Sequence, residues 1–388
     1  MKITDVRAIP LSYVYPQNET WKWSGGYVDI WNTCLVQVDT DEGISGLGET
    51  GSGHFVPDAA VAMTPHFKQM VLGNNPLEVE RLFHKLMMAS TYWGRRGLAV
   101  SLISGIEMAC WDILGKALRQ PVYILLGGLR KKEIPVYASA GTERSPEEFT
   151  EELQGHVAAG YGAIKIRGGY SAQRDAQLME QARGAVGDSI KLMIDAGQHY
   201  VPLPWTLTEA IEVARAIEPY DPFWLEEPLH IEQPKQYAAL RAKTTVPIAA
   251  GENGCTTREF RQLLDVDALD VLQPDVTQAG GIGEVKRIAQ LAELYGRPIA
   301  PHIFRSGVGL MGHLHLMVSI PNSLIFEYSR VSNPLREELL IEPVTVRNGC
   351  IQAPSAGVPG LGVHLPAGIE EKYRYQPGRV QHFVVEST

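Results

Sequence analysis

Short runs of apolar and β-branched residues recur along the chain from about residue 133 onward. Their centres lie roughly 23 to 30 residues apart, and helical segments lie between most of them. Such alternation predicts a parallel barrel, (β/α)₈ or a close variant, although an open doubly wound sheet also accommodates short runs. The eight predicted strands are IPVYAS, GAIKIR, KLMIDA, DPFWLEE, VPIAAGE, LDVLQPD, RPIAPHI and LIFEY.

The first barrel helix has clear start and stop signals. Ser145 is its expected N-cap, with Pro146 at the first helical position and Glu148 three residues after the cap, and the pattern ends at Gly160. Two later segments, TLTEAIEVARAI and GEVKRIAQLAELYG, carry apolar residues at helical spacing. These signals favour helices between the predicted strands.

The two ends of the chain have different patterns from the middle. ITDVRAIPLSYVY and WNTCLVQVDTDEGISGLGET predict antiparallel strands with a turn at 39–43, and two helical stretches follow. The tail is rich in Pro and Gly and contains one strand-like piece. We therefore predict an α+β capping domain over residues 1–125, a barrel over 126–330, and a segment over 331–388 that packs back on the capping domain.

Bulk composition excludes several classes of function. The chain has 388 residues, a net charge of −9 and 20% charged residues, which disfavours nucleic acid or an anionic membrane as a partner. We expect neither a secretory leader nor a membrane-spanning helix, because the polar N-terminus lacks an apolar core. The four cysteines match no metal or redox spacing, which indicates free thiols in the cytoplasm.

Three acidic residues stand at the ends of three consecutive apolar runs. They are Asp195 in KLMID, Glu226 in PFWLE and Glu252 in PIAAGE. The C-terminal ends of barrel strands form one face, so we expect these carboxylates to meet there. Three oxygen ligands on neighbouring strands suit a hard dication such as Mg²⁺, whereas solvated loop acids would have no reason to stand in register.

Other polar residues stand at neighbouring strand ends. Lys165 and Arg167 lie two residues apart and so point the same way, either toward a substrate carboxylate or into structural ion pairs. Asp275 and His302 follow the sixth and seventh runs, where the acid would fix the imidazole tautomer and make it a general base. Glu327, on the eighth, would donate a hydrogen bond to an oxyanion if burial keeps it protonated.

Seven motifs agree in order, residue type and strand location with one known family: Lys165-x-Arg167, Asp195, Glu226 in EEP, Glu252 in GEN, Asp275 in QPD, His302 in PHIF and Glu327. In these motifs the sequence resembles the enolase superfamily, mandelate racemase/muconate lactonizing enzyme group, and within it the acid-sugar dehydratases. The resemblance covers nearly the whole chain.

The resemblance implies a capping domain, completed by the C-terminal tail, over a modified (β/α)₇β barrel. It implies one Mg²⁺ on Asp195, Glu226 and Glu252, and removal of the proton α to a substrate carboxylate. It also implies a small-molecule carboxylate as partner and a homo-oligomer between dimer and octamer. Arg167 stands where the family usually has a second lysine, and Gly197 where it often has asparagine.

With arginine a poor base, His302 is the one competent base, which favours dehydration of a sugar acid (an aldonate or aldarate) to a 2-keto-3-deoxy acid. An epimerase or an aldarolactone cycloisomerase on the same fold is the alternative, and a binding protein on an enzyme fold is a third. The capping loops and the region after the seventh strand supply four candidate substrate-binding residues: Trp21, Tyr27, His54 and Arg305. Trp21 would serve equally well in domain-interface packing, and Arg305 in a surface ion pair.

Overall fold

The computed structural model describes residues 1–141 and 145–383. The first part of the chain forms a three-stranded antiparallel sheet in the order β1-β4-β5, a short hairpin of β2 and β3, and helices packed against the sheet. The elements are β1 (Ile3–Val14), β2 (Trp21–Trp23), β3 (Gly26–Val28), β4 (Ile30–Thr40), β5 (Ser45–Thr50), α1 (Pro57–Val71), α2 (Val79–Ser90), α3 (Leu98–Leu118) and α4 (Val122–Leu125).

Helix α3 is the central helix of this unit because β5 approaches its backbone directly. A Cβ placed on Gly46 would stand 2.0 Å from the Ala109 carbonyl oxygen, and one on Gly48 would stand 1.9 Å from that of Gly105. Only glycine fits so close an approach. Among the described residues, α3 alone is long and apolar enough to cross a membrane, whereas no such helix was expected. Most of α3 is buried inside the molecule.

The predicted alternation of strands and helices is present from residue 133 onward. Ser145 caps α5 as expected, because its side chain accepts from the Glu148 amide and Glu148 returns a hydrogen bond to the cap. The elements are β6 (Glu133–Ser139), α5 (Pro146–Ala158), β7 (Ala163–Arg167), α6 (Ala172–Val186), β8 (Lys191–Asp195), α7 (Leu207–Ile217), β9 (Pro222–Glu226), α8 (Pro234–Arg241), β10 (Ile248–Ala250), α9 (Thr256–Asp265), β11 (Val271–Leu272), α10 (Ile282–Leu294), α11 (Gly307–Met317) and β12 (Phe326–Ser329).

The parallel strands close into a barrel. β6 to β11 pair in sequence order, and β12 returns to pair with β6. The seventh strand is reduced to one residue, Ile299, which bridges Leu272 on one side and Ser323 on the other. Seven helices and a final strand without one make a (β/α)₇β barrel, so the predicted fold is confirmed and the open sheet is wrong.

The tail contacts both larger units. Its elements are α12 (Pro334–Glu338), β13 (Val346–Arg347), β14 (Cys350–Gln352), α13 (Ile369–Lys372) and β15 (His382–Phe383), so it carries three short strands rather than one. β14 pairs with β6, and β15 pairs with β3. The boundaries at 125/126 and 330/331 stay a prediction, and 384–388 lie outside the described residues.

Two buried glutamates hold the capping unit over the barrel. Glu49 on β5 accepts hydrogen bonds from the Ser306 hydroxyl at 2.6 Å and from the Gly309 amide at 2.9 Å, at the start of α11. Glu107 on α3 accepts from the Ile282 and Gly283 amides, both at 2.8 Å, at the start of α10. Because the first amides of a helix have no partner within the helix, these carboxylates satisfy them and position the cap above the C-terminal ends of the strands.

Candidate active site

Lys165 is at the centre of the polar residues on the C-terminal face of the barrel. On β7, Ile164 and Ile166 point outward into the core under the helices, so the side chain of Lys165 points into the barrel. Its ammonium is an ion-pair partner of Glu226 and lies 3.0 Å from Glu327 Oε1. Burial alone would lower the pKa of Lys165, but these carboxylates hold that pKa well above its ordinary value. The residue is therefore a fixed cation.

Arg167 lies one pleat further along β7 and forms an ion pair with Asp195 at the end of β8. Its guanidinium also lies 5.5 Å from the centre of the Phe304 ring. The two cations of the Lys-x-Arg motif thus take part in ion pairs, one of the two alternatives predicted for them. Arg167 also lines the pocket described below, which leaves it within reach of a ligand.

The three predicted metal ligands lie on three adjacent strands. Asp195 and Glu226 are register partners at the ends of β8 and β9, and Glu252 follows β10 by two residues. Glu226 accepts a 2.8 Å hydrogen bond from the Trp224 indole. Glu252 accepts one of 2.9 Å from the Tyr200 hydroxyl.

These carboxylates have the donor chemistry of a Mg²⁺ site, but they are paired with cations. Within 1–141 and 145–383, no group of three His, Cys, Asp or Glu side chains is arranged to share a metal ion. The buried carboxylates nevertheless outnumber the fixed cations beside them. Because burial and the neighbouring acids raise the pKa of Glu226 despite Lys165, the cluster favours an additional positive charge. The donor set therefore fits a hard dication.

His302 and Asp275 meet as predicted from their strand positions. The imidazole Nδ1 lies 3.0 Å from Asp275 Oδ2, and Nε2 lies 3.8 Å from Glu252 Oε2. Burial alone would lower the pKa of His302, but Glu252 and Asp275 together raise it above its ordinary value. An Nδ1–H donated to Asp275 leaves Nε2 to take a proton.

The neighbours of Glu327 oppose the protonation that was expected for it. Burial alone would raise its pKa, but the neighbouring Lys165 and His302 and the Ile303 amide lower it. The amide donates to Glu327 Oε2 at 2.6 Å. These contacts therefore favour the carboxylate form of Glu327, which accepts hydrogen bonds.

A second histidine–carboxylate pair was not predicted. His199 Nδ1 lies 3.0 Å from Glu227 Oε2, and Nε2 lies 3.5 Å from Glu252 Oε1. Glu227 follows β9 with a positive φ of 47°, which turns its side chain away from that of Glu226. Its other oxygen accepts from the Gly251 amide at 2.8 Å. One signal was available in the sequence, since His199 stands four residues after Asp195.

A cavity of about 280 Å³ opens above these residues. Of the four predicted substrate-binding residues, Trp21, His54 and Arg305 line it. Tyr27 is not among the lining residues: in the β2–β3 hairpin Tyr27 is opposite Lys22, while the pocket-lining Trp21 and Trp23 occupy the other face. Its part in substrate binding stays a prediction. The lining also includes residues that were not predicted, among them Phe55, Val56, Asn253, Gln278, Phe304 and Gln381.

Arg305 forms a buried ion pair rather than a surface one. Its Nη2 lies 2.9 Å from Asp275 Oδ2, and its Nε donates to the Thr277 hydroxyl at 2.9 Å. Burial and the nearby Arg305 charge lower the pKa of His54 to about 3, so His54 is neutral. Neither side chain thus brings an unpaired charge to the cavity, because Arg305 is paired and His54 is neutral.

Comparisons with known proteins agree with this architecture. Residues 14–127 match the N-terminal domain family of mandelate racemase and muconate lactonizing enzyme, and residues 148–368 match the family described as enolase C-terminal domain-like. The chain belongs to the enolase superfamily, in the mandelate racemase/muconate lactonizing enzyme group.

Relatives of this superfamily member cover nearly all of its length. Arabinonate dehydratase of Saccharolobus solfataricus is 31% identical over 378 residues, 96% of this chain and 99% of that protein. D-galactarolactone cycloisomerase of Agrobacterium fabrum is 33% identical over 343 residues, 85% of this chain and 88% of that protein. The crystal structure of an enolase superfamily member from Polaromonas sp. JS666 is 34% identical, covers 99% of this chain and 100% of that chain, and has a TM-score of 0.90.

Proposed function

We propose that this protein removes the proton α to the carboxylate of a sugar acid and then eliminates the β-hydroxyl, giving a 2-keto-3-deoxy acid. The observation that carries the proposal is the His302–Asp275 pair at 3.0 Å, with His302 in the pocket lining and its Nε2 3.8 Å from Glu252 Oε2. Arabinonate dehydratase, 31% identical, supports the reaction class.

The substrate carboxylate would bind among Asp195, Glu226, Glu252 and the two cations of β7. Mg²⁺ held by the three acids would supply positive charge beside that carboxylate and so acidify the neighbouring C–H bond. Lys165 and Arg167 add fixed positive charge on the same face, where negative charge develops as the proton leaves.

His302 would then act twice. Its Nε2 takes the α-proton, while Asp275 holds the Nδ1–H and stabilises the imidazolium. The electrons left on the α-carbon form a double bond to the β-carbon as the C–O bond to the β-hydroxyl breaks. The imidazolium returns its proton to that hydroxyl, so water departs, and the resulting enol tautomerises to the α-keto acid.

Among the described residues, neither cation on the β7 side of the site can serve as a base, which favours elimination over epimerisation. An arginine pKa lies roughly 6 units above neutrality, so removing the Arg167 proton costs about 8 kcal/mol. Lys165 is held as an ammonium by its carboxylate partners. Cycloisomerisation of an aldarolactone stays the second candidate, since a cycloisomerase is 33% identical to this chain and that reaction also begins at the α-carbon.

Proton NMR in D₂O with Mg²⁺ and a panel of sugar acids tests the reaction. We expect a 2-keto-3-deoxy product that carries solvent deuterium. His302→Asn should lower turnover by roughly 10²- to 10⁴-fold, because it removes the base. His84→Asn, on the exposed surface of α2, is the matched control and should be unaffected. Full turnover by His302→Asn would exclude His302 as the base, and a product without loss of water would favour the second candidate.

Two further expectations are proposals that rest on the family alone. We propose that the enzyme works in the cytoplasm, since the acid-sugar substrates of such relatives are small metabolites. We also propose a homo-oligomer, between dimer and octamer. Sedimentation velocity of the purified protein measures the second directly, and a monomer at micromolar concentration would contradict it.

A further inference from the structure

We propose that the substrate carries one carboxylate and that the rest of it is neutral and hydroxylated, as in an aldonate, rather than ending in a second carboxylate, as in an aldarate. This inference rests on the proposed function, because it takes the carboxylate next to the reacting carbon to lie at the barrel face. It concerns the opposite end of the substrate, where the capping unit and the tail close the pocket.

Aromatic faces form much of the pocket wall. Trp23 packs edge-to-face with Tyr200 at 5.5 Å between ring centres, and Trp21 does so with Phe304 at 6.1 Å. Phe55 lines the same cavity. Such faces suit the C–H surfaces of a sugar chain or ring, and they offer nothing to a desolvated anion.

Four of the other polar side chains in the pocket lining are neutral. Ser52, Asn253, Gln278 and Gln381 line the pocket and provide hydroxyl and amide groups. Each can both donate and accept a hydrogen bond, as a hydroxyl does. His54 belongs to the same set, because its burial against Trp31 and the nearby Arg305 charge lower its pKa and keep the imidazole uncharged.

Arg305 is the cation that a second carboxylate would require, and its charge is already balanced. Its three nitrogens contact Asp275, Thr277 and the Phe304 carbonyl oxygen at 2.9, 2.9 and 3.2 Å. The guanidinium retains N–H groups for a substrate hydroxyl. A second carboxylate beside it would instead lie close to the Asp275 carboxylate.

Among the lining residues that the structure describes, one other permanent cation remains. It is Arg167, which is paired with Asp195 at the barrel face. A distal carboxylate would therefore lose its water without gaining a free counter-ion, which opposes binding. A distal hydroxyl meets no such penalty.

Calorimetry on matched acids tests the inference. The His302→Asn variant, in the presence of Mg²⁺, is titrated with three pairs of acids, each made of a monoacid and the matching diacid. The pairs are gluconate and glucarate, galactonate and galactarate, and xylonate and xylarate. We expect the monoacid of the best-bound pair to bind at least tenfold more tightly than its diacid. A diacid that binds as tightly or more tightly overturns the inference, and so does failure of every acid to bind.

A charge placed on the distal wall provides an independent check. Val56 lines the pocket and is 42% exposed, so it tolerates a larger side chain. Val56→Arg should improve diacid binding about tenfold relative to Val56→Gln, the neutral control, while an unchanged ratio would count against the inference. Deuterium exchange at the α-carbon by the wild type on the same acids reports on the proposed function separately, because it does not depend on which acid binds better.

Discussion

Asp275 acts through His302, so replacing Asp275 should change the pH dependence of the reaction as well as its rate. Asp275→Asn keeps the shape of the side chain but removes the charge that orients the imidazole. We expect kcat to fall roughly 10- to 100-fold, as for other residues that orient a functional imidazole. The thermal midpoint, measured alongside, should show that the variant is folded.

The sign of the pH effect follows from the same contact. The base must be neutral, so the rate falls as the pH drops through the His302 pKa, which Asp275 raises. Removing the carboxylate should move this acid limb to lower pH. A variant that loses rate with an unmoved acid limb would show that Asp275 serves only the fold.

Gly197 illustrates a residue whose departure from the family pattern has a local explanation. Its φ is +53°, and its amide donates to Asp195 Oδ1 at 3.0 Å. A Cβ at this position would lie 3.4 Å from the Trp23 ring. The side chain of an asparagine would therefore contact Trp23, and the glycine leaves that space to the aromatic wall.

At the scale of elements, replacing Glu107 tests whether its hydrogen bonds to α10 hold the capping unit on the barrel. Both carboxylate oxygens accept from N–H groups, so in Glu107→Gln the amide NH₂ must face a donor. We expect a loss of roughly 1–3 kcal/mol in the free energy of unfolding. Urea denaturation measures it, with Glu180→Gln, exposed on α6, as the control. Equal stability of the two variants would contradict a structural role for this contact.

Elements with a local signal were predictable, and elements held by tertiary contacts were not. The capping box of α5 and the strand–helix alternation were readable because each lies within a few residues of sequence. The seventh strand was predicted as a full run but pairs only at Ile299. Every residue of α11 is buried, since the cap and the tail cover it, so it has no polar face to mark it.

The same distinction between local sequence signals and tertiary contacts holds for the candidate active site. Strand-end position predicted that Asp275 and His302 would meet. Strand-end position did not predict the direction of the Glu227 side chain, which depends on a left-handed backbone conformation. Nor did it predict the ionisation of Glu327, which depends on Lys165 from another strand. The face on which Tyr27 lies depends on the pairing register of a short hairpin, which its sequence does not specify.

At the scale of the whole molecule, the pocket is built from all three parts of the chain. Gln381 reaches it from the tail, next to β15, which pairs with β3 and so supports the hairpin that carries Trp21 and Trp23. Truncation after Arg379 should raise KM about tenfold with a smaller change in kcat, because it loosens substrate contacts remote from the reacting carbon.

Steady-state kinetics with the preferred acid measures this effect. Gln381→Ala is the comparison, because it removes the side chain and keeps the strand pairing. If the truncated protein keeps its KM, the tail takes no part in substrate binding. A large fall in the thermal midpoint would instead indicate that the tail stabilises the fold as a whole.

The two oxygens of Glu327 face different partners, Lys165 on one side and the Ile303 amide on the other. Ile303 adjoins His302, and its segment has almost no strand pairing of its own. The position of the base therefore depends, besides Asp275, on the same carboxylate that contacts the cation on β7. We therefore expect the two halves of the site to change together in evolution: a substrate that needs a different spacing between base and cation would require a change at residue 327 as well as on one strand.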